Sequence, residues 1–188
     1  MILLTKTDEW SNHAGRLAKI VFGDDLIWLR GNVGDPMPDI PKGGIISFLS
    51  PWIIPAKVLE GRKAINFHPG SGNYPGIGAY NMALHENAKL YGAVCHHMKP
   101  KVDSGEIIYE TTFPVFEQDT VETLKFRTMV SMLEMFHRII CQIKSEHPLR
   151  NFPSRWTRPA FTRKQLNRLY ADFPNTRATV YPDAPNSI

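Results

Sequence analysis

Asn66 and His68 stand two residues apart at the end of the apolar run "AINF", and Pro69 follows. Residues i and i+2 of a strand project to the same face, so the amide and the imidazole can enter one pocket. Pro69 then ends the strand. Asn offers two N–H donors and His one or two. Donors placed this way can hold a carbonyl oxygen as it gains negative charge, which is what acyl transfer requires; losing one such donor costs roughly a hundred- to thousandfold in rate. Acyl transfer to an amine also needs a group that takes the amine's proton. Asp103 in "KVDSGEI" is the candidate, in a loop where its carboxylate can come to lie against His68. Each signal is weak alone. Asn-x-His also arises where strand-end polar groups meet turn amides, and Asp-Ser-Gly is a common turn.

Other polar clusters compete for attention. "CHH" at 95–97 invites a metal reading with His68, but neighbouring strand residues face opposite ways, so only one of His96 and His97 can join it. His96 is expected to sit behind the trio, with no metal, and Cys95 is read as a buried thiol. Tyr74, Tyr80 and Asn81 border the glycine-bearing stretch "GSGNYPGIG". They are candidates to stack on a sugar or base and to grip hydroxyls, with Tyr80 equally suited to packing a helix on the sheet. Gly70 and Gly76 are expected to let the chain turn near the site without a side chain blocking the substrate. The segment after His147 carries Arg150, Arg155, Arg158, Arg163, Lys164, Arg168 and Arg177, with Trp156, Phe161 and Tyr170 among them. A nucleic-acid surface has such a composition, but the favoured reading is a solvated surface, or a segment that packs across the domain and dimerises it.

The bulk composition limits the alternatives. The 188 residues are 43% hydrophobic and 21% charged, ordinary for one globular domain. A net charge of +4 suits an anionic ligand and falls short of a nucleic-acid signature by itself. Two distant cysteines, Cys95 and Cys141, form neither a disulfide framework nor a zinc motif, and a reducing cytoplasm is the simplest setting. The N-terminus does not read as a signal peptide, and no apolar run reaches membrane-spanning length.

The elements that must position these residues alternate along the chain. "MILLT", "DLIWLRG", "IISFLS" and "KAINF" read as strands, the third continuous enough to be central in a parallel sheet. Between the first two, "WSNHAGRLAKIVFG" reads as a helix capped by Ser11 and stopped by Gly23. "PWIIPAKVLEG" gives a loop and a short helix. "GAYNMALHENAK" is expected to be helical, and "YGAVCHHM" and "GEIIYETTFPV" to form an antiparallel pair. Residues 120–144 predict a long helix with Thr120 at its cap and Leu124, Met129, Leu133, Phe136 and Ile140 as its buried stripe. A short helix is expected at "TRKQLNRLY". The pattern predicts an α/β, Rossmann-like fold with a mostly parallel twisted sheet and flanking helices. The expected division is a catalytic domain at 1–145 and an extension at 146–188 that packs on it or at a dimer interface; helix 120–144 is apolar enough for either a core or an interface.

With these residues in order, the stretch "NFHPGSGNYPGIGAYNMAL … YGAVCHHMKPKVDSGEII" resembles the formyltransferase family that uses 10-formyltetrahydrofolate. The resemblance runs from about Ile45 to Val115. It implies that Asn66, His68 and Asp103 are the catalytic trio: Asn66 and His68 steady a tetrahedral intermediate, and Asp103 tunes His68 and helps move the proton. It also implies that the pterin is held by the loop "FLSPWIIP" and the aspartate loop, making Phe48, Leu49, Trp52, Ile53, Ile54, Val102 and Asp103 cofactor candidates. Core packing is an equally open reading for Trp52 and Ile53.

Departures from the family pattern narrow the acceptor. Where glycinamide ribonucleotide enzymes have a glycine-rich phosphate loop after the first strand, this chain reads "TKTDEWSN". The Ser-Leu-Leu-Pro that usually follows His-Pro is replaced by "GSGNYPG", the style of sugar N-formyltransferases. "RWTRPAFTRKQLNRL" with "YPDAP" looks like their tails, and no additional tRNA-binding barrel is expected. The run before Asn66 is short for the family, so a strand–helix unit is expected to be trimmed. The resemblance therefore points to a nucleotide-linked amino-dideoxy sugar as the amine. A 10-formyltetrahydrofolate hydrolase, another small amine such as glycinamide ribonucleotide, and a non-catalytic binding module are the alternatives.

Overall fold

Six apolar runs become strands: β1 (Ile2–Thr5), β2 (Ile27–Arg30), β3 (Ile45–Phe48), β4 (Ala64–His68), β5 (Leu90–His97) and β6 (Ile107–Pro114). The computed structural model describes residues 1–180, and the "YPDAP" stretch lies outside the described residues. The strands form one sheet in the order β2-β1-β3-β4-β5-β6. The first four pair in parallel and the last two antiparallel. All four residues of β1 and of β3 are buried, as expected for interior parallel strands covered on both faces. The structure thus has the α/β architecture that the alternation predicts.

Strand alternation divides the side chains between two faces. Leu3, Ile46, Phe48, Ile65, Phe67, Ala93 and Cys95 lie under α1 (Glu9–Phe22) and α4 (Val121–Lys144). Ile2, Leu4, Ile45 and Ala64 face the other way, against Ile54 and α2 (Ala56–Leu59). Asn66 and His68 follow Ala64 at intervals of two, so both emerge on this second face, away from the two long helices. A third cluster joins α3 (Ala79–His85) to the start of α4 and to α5 (Arg163–Asp172) through Met82, Leu84, Leu124 and Leu169.

Local chemistry sets the helix ends. Thr120 and Thr123 form a reciprocal capping box at the start of α4, as the sequence predicts. The cap of α1 is Asp8, not Ser11: the Asp8 carboxylate accepts from the Ser11 N–H at 2.9 Å. The donor pattern is the one expected, displaced by three residues. α3 is shorter than "GAYNMALHENAK" predicts. Asn87 takes a left-handed φ of 53°, and the Ala88 N–H reaches back to the Ala83 carbonyl at 2.9 Å, which closes the helix early. Among the described residues, no helix is long and apolar enough to cross a membrane.

Candidate active site

β4 ends at His68, and the loop that follows β5 returns across the same face with Asp103 at its turn. Asp103 adopts a left-handed φ of 43°, a region that Asp tolerates better than most residues. The turn aims its carboxylate at three partners. Oδ2 lies 3.2 Å from His68 Nδ1 and accepts from the Gly76 N–H at 2.7 Å; Oδ1 lies 3.2 Å from His96 Nε2. Asn66 Nδ2 lies 3.2 Å from the same His96 nitrogen. The three residues read from the sequence, with His96 behind them, are therefore one contiguous cluster. Asn66 is paired with His96 across the antiparallel β4–β5 ladder, which explains how residues thirty positions apart meet. His97 projects to the opposite side of β5.

The cluster is almost sealed. The side chains of His68, Asp103 and His96 are 7%, 5% and 3% exposed. Burial works to raise the Asp103 carboxyl, but the His68 charge, the contacts with His96 and the Gly76 N–H outweigh it and hold the group well below the usual carboxylate range. Asp103 is thus a fixed negative charge. The outer nitrogen of each imidazole meets a carbonyl: His68 Nε2 lies 2.8 Å from the Tyr74 oxygen, and His96 Nδ1 lies 2.8 Å from the His97 oxygen. Every ring nitrogen of the pair therefore has an oxygen within hydrogen-bond reach, so the cluster can hold and pass protons. Asn66 is half-buried, and its amide is the donor nearest solvent.

Because Asp103 titrates lower in the folded chain than in the unfolded one, its contribution to stability is complete above the unfolded carboxyl value, about 3.9. It is lost as the pH falls toward the folded value. The stability gap between the native protein and Asp103→Asn should therefore stay constant from about pH 7 to about pH 5 and narrow as the pH falls from there to about 3, as thermal unfolding would read. A gap that widens on acidification would contradict the assignment.

The glycine-bearing loop has a different role from the one its composition invites. The chain's own segment 150–161 lies on it. Thr157 N donates to the Gly72 carbonyl at 3.0 Å, Phe161 N to Pro75 at 2.8 Å, and Ile77 N to the Phe161 carbonyl at 3.1 Å. A Cβ on Gly72 would come 2.7 Å from the Arg155 carbonyl oxygen, and one on Gly76, at φ 88°, 2.4 Å from Phe161 backbone atoms. These two positions make room for the crossing segment rather than for a substrate. Gly70 is tied to the cluster itself: a Cβ there would meet His68 Nε2 at 2.5 Å and the Tyr74 oxygen at 2.6 Å.

The other expected site residues separate into two groups. Phe48 is fully buried against Phe67 and Phe136, under α4, so its side chain belongs to the core and not to a cofactor wall. Asn81 donates to the Ala178 carbonyl at 2.7 Å and to Tyr170 Oη at 3.1 Å, which ties α3 to the chain beyond α5. Tyr80 packs on Tyr91, and the Tyr74 phenol is pushed up to about 12 by burial and then by Glu86. Trp52 donates from its indole to the Asp35 carbonyl at 3.1 Å, and Ile54 is buried. Two apolar side chains stay in solvent on the predicted cofactor loops, Ile53 at 73% and Val102 at 45% exposed, beside Leu49 at a left-handed φ of 54°. Exposed apolar groups on these loops suit a flat heteroaromatic ligand. Several tail cations are partnered within the chain: Arg158 with Glu86 at 2.6 Å, Arg168 with Asp172 at 3.1 Å, and Arg177 on carbonyls of Phe116 and Glu117.

Trp156 was not foreseen. Its ring stands edge-to-face on His96 at 5.1 Å and on His68 at 5.8 Å, and its indole N–H donates to the Gly105 carbonyl at 2.7 Å. The available signal was a large indole in an otherwise polar, basic stretch.

A parallel α/β sheet with a buried acid–imidazole cluster at the end of a central strand defines an enzyme-like site. Residues 49–140 match the family model described as formyl transferase. The matched segment contains Asn66, His68, His96 and Asp103. A stretch of 79 residues is 27% identical to phosphoribosylglycinamide formyltransferase of Haemophilus influenzae and covers 42% of this chain and 37% of that protein. The matched stretch thus spans little more than a third of that relative. In fold, the chain is similar to a formyltransferase from Anoxybacillus kamchatkensis solved with UDP-4,6-dideoxy-4-formamido-L-AltNAc and tetrahydrofolate. The TM-score is 0.74 at 19% identity, covering 95% of this chain and 94% of that one. A sugar N-formyltransferase from Shewanella gives 0.73 at 15% identity, covering 95% and 84%.

Proposed function

We propose that the protein transfers the formyl group of 10-formyltetrahydrofolate to a primary amine, and that the amine is carried by a nucleotide-linked amino-dideoxy sugar. The observation that carries the reading is the contiguous Asn66–His68–Asp103–His96 cluster inside a segment that matches the formyl transferase family. The amine nitrogen attacks the formyl carbon, the bond from that carbon to the folate nitrogen breaks, and one proton passes from the amine to the departing nitrogen. Asn66 donates to the formyl oxygen as charge builds on it. His68, held between Asp103 and the Tyr74 carbonyl, carries the proton, and the fixed charge of Asp103 stabilises the protonated imidazole. The donor's ring system would rest on the loops bearing Leu49, Ile53 and Val102.

The start of α1 favours a sugar over glycinamide ribonucleotide. A helix N-terminus attracts phosphate through its free N–H groups and its dipole. Here Asp8 already occupies the Ser11 N–H, and Glu9 follows in the first turn, so the position is acidic and engaged. Similarity of fold along nearly the whole chain to a formyltransferase solved with a UDP-linked sugar and to a sugar N-formyltransferase supports the same choice.

Incubation with 10-formyltetrahydrofolate and a panel of nucleotide-linked amino sugars, alongside glycinamide ribonucleotide, tests the reading. Tetrahydrofolate release is followed by absorbance and the formylated product by mass. Product from at least one sugar and none from glycinamide ribonucleotide is expected. Formylation of glycinamide ribonucleotide alone would refute the choice of acceptor, and donor turnover to formate with no amine formylated would make the protein a hydrolase.

A further inference from the structure

We propose that Trp156 completes the catalytic site from outside the family segment: its ring keeps water from the His68–Asp103–His96 cluster, so that donor turnover is coupled to formylation of the amine. The proposal rests on the formyl-transfer reading above.

The formyl carbon has two possible attackers. Attack by the amine forms the new C–N bond, breaks the bond to the folate nitrogen and moves one proton to that nitrogen. Attack by water forms a C–O bond, breaks the same bond, passes one proton of the water to the same nitrogen and releases formate, the second proton going to solvent. Both routes use the same donors and the same proton carriers, so the cluster's chemistry does not choose between them. Access does.

Trp156 controls that access. It stands edge-on to both imidazoles, at 87° to His96 and 69° to His68, a favourable aromatic arrangement. It also lines a groove of about 510 Å³ together with Asp103, Ser104 and Gly105. The groove reaches the aspartate loop, and the indole that borders it packs against both imidazoles. Its N–H bond to the Gly105 carbonyl pins the loop two residues beyond Asp103. Gly105 itself fits tightly, since a Cβ there would lie 1.7 Å from the His97 carbonyl oxygen. The segment that carries Trp156 is anchored on both sides of it. Glu110 accepts from the Gly72 N–H at 2.8 Å and from the Ser154 hydroxyl, Phe152 N donates to the Ile107 carbonyl at 2.8 Å, and Thr157 N holds Gly72. Trp156 is therefore a positioning and shielding residue held in a fixed place.

The test is the ratio of formate to formylated amine under saturating donor and acceptor. Trp156→Leu keeps apolar bulk and loses the ring; it is expected to raise the ratio several-fold while circular dichroism stays native. Trp156→Phe is expected to restore the wild-type ratio, which a general loss of stability would not do. An unchanged ratio in folded Trp156→Leu overturns the proposal, as does a Trp156→Phe ratio equal to that of the leucine variant. If Trp156→Leu does not fold, Gly72→Ala decides: its Cβ displaces the Arg155 carbonyl and lifts the segment, and an unchanged ratio there overturns the proposal. A wild-type protein that turns over no donor, with any amine or with water, removes the formyl-transfer reading and this proposal together. A wild type that transfers formyl while its variants stay coupled removes this proposal alone.

Discussion

Asn66→Ala should lower the rate of formyl transfer by about a hundred- to thousandfold, the usual cost of removing one donor to a developing oxyanion. Folding should be little affected. Asn66 is only half-buried, and its amide contacts His96 at 3.2 Å without anchoring any other element. Single-turnover kinetics at saturating donor and acceptor would read the chemical step, and thermal unfolding would confirm an intact fold. The loss should fall on the maximal rate more than on apparent affinity, because the donor is needed most when charge has built on oxygen. A variant within a few-fold of wild type would remove Asn66 from the mechanism and leave the half-buried amide as a strand-end polar group.

Phe136→Ala should destabilise the protein by about 3–5 kcal/mol, the range for emptying a fully buried aromatic site. Phe136 has no exposed surface and sits between two other rings, Phe48 at 5.2 Å and 72° and Phe67 at 5.1 Å and 64°. Phe48 ends β3, Phe67 is the penultimate residue of the neighbouring parallel strand β4, and the two are directly paired in the ladder. The triad thus fastens α4 to the part of the sheet from which Asn66 and His68 emerge on the other face. A domain has only about 5–15 kcal/mol in total, so this loss would consume a large share of it. Denaturant midpoints of the two proteins would measure the effect, and a change below about 1 kcal/mol would show that the site collapses around the missing ring.

What the sequence discloses here depends on whether side-chain type carries the information. The interior strands were legible because parallel strands buried on both faces need continuous apolar runs, and "ILLT" and "IISF" are such runs. The cluster was legible because strand periodicity puts Asn66 and His68 on one face and because an aspartate loop follows a hairpin strand. Phe48 was placed on the cofactor loop by the family resemblance, and the same periodicity, through its register with Ile46, puts its side chain under α4. The tie from Asn81 to the Ala178 carbonyl was not legible, because that partner is 97 residues away and carries no side-chain signature. That the extension packs on the domain was expected, but the path of its crossing segment was illegible for the same reason. Its bonds to Gly72, Pro75 and Ile77 run from backbone to backbone, and only the missing Cβ atoms on the loop record them.

The crossing segment also sets when the site comes into being. A chain emerging from the ribosome has its complete sheet once β6 is out, and Asn66, His68 and Asp103 are by then all available. Trp156 must still reach back 51 residues to Gly105, and Ser154 back 44 to Glu110. Contacts of such separation form after the local ones, because the intervening loop must be closed first. A growing chain therefore carries the catalytic groups for some time before it carries the enclosure. The enclosure of the cluster therefore arrives only after the long helix has been made.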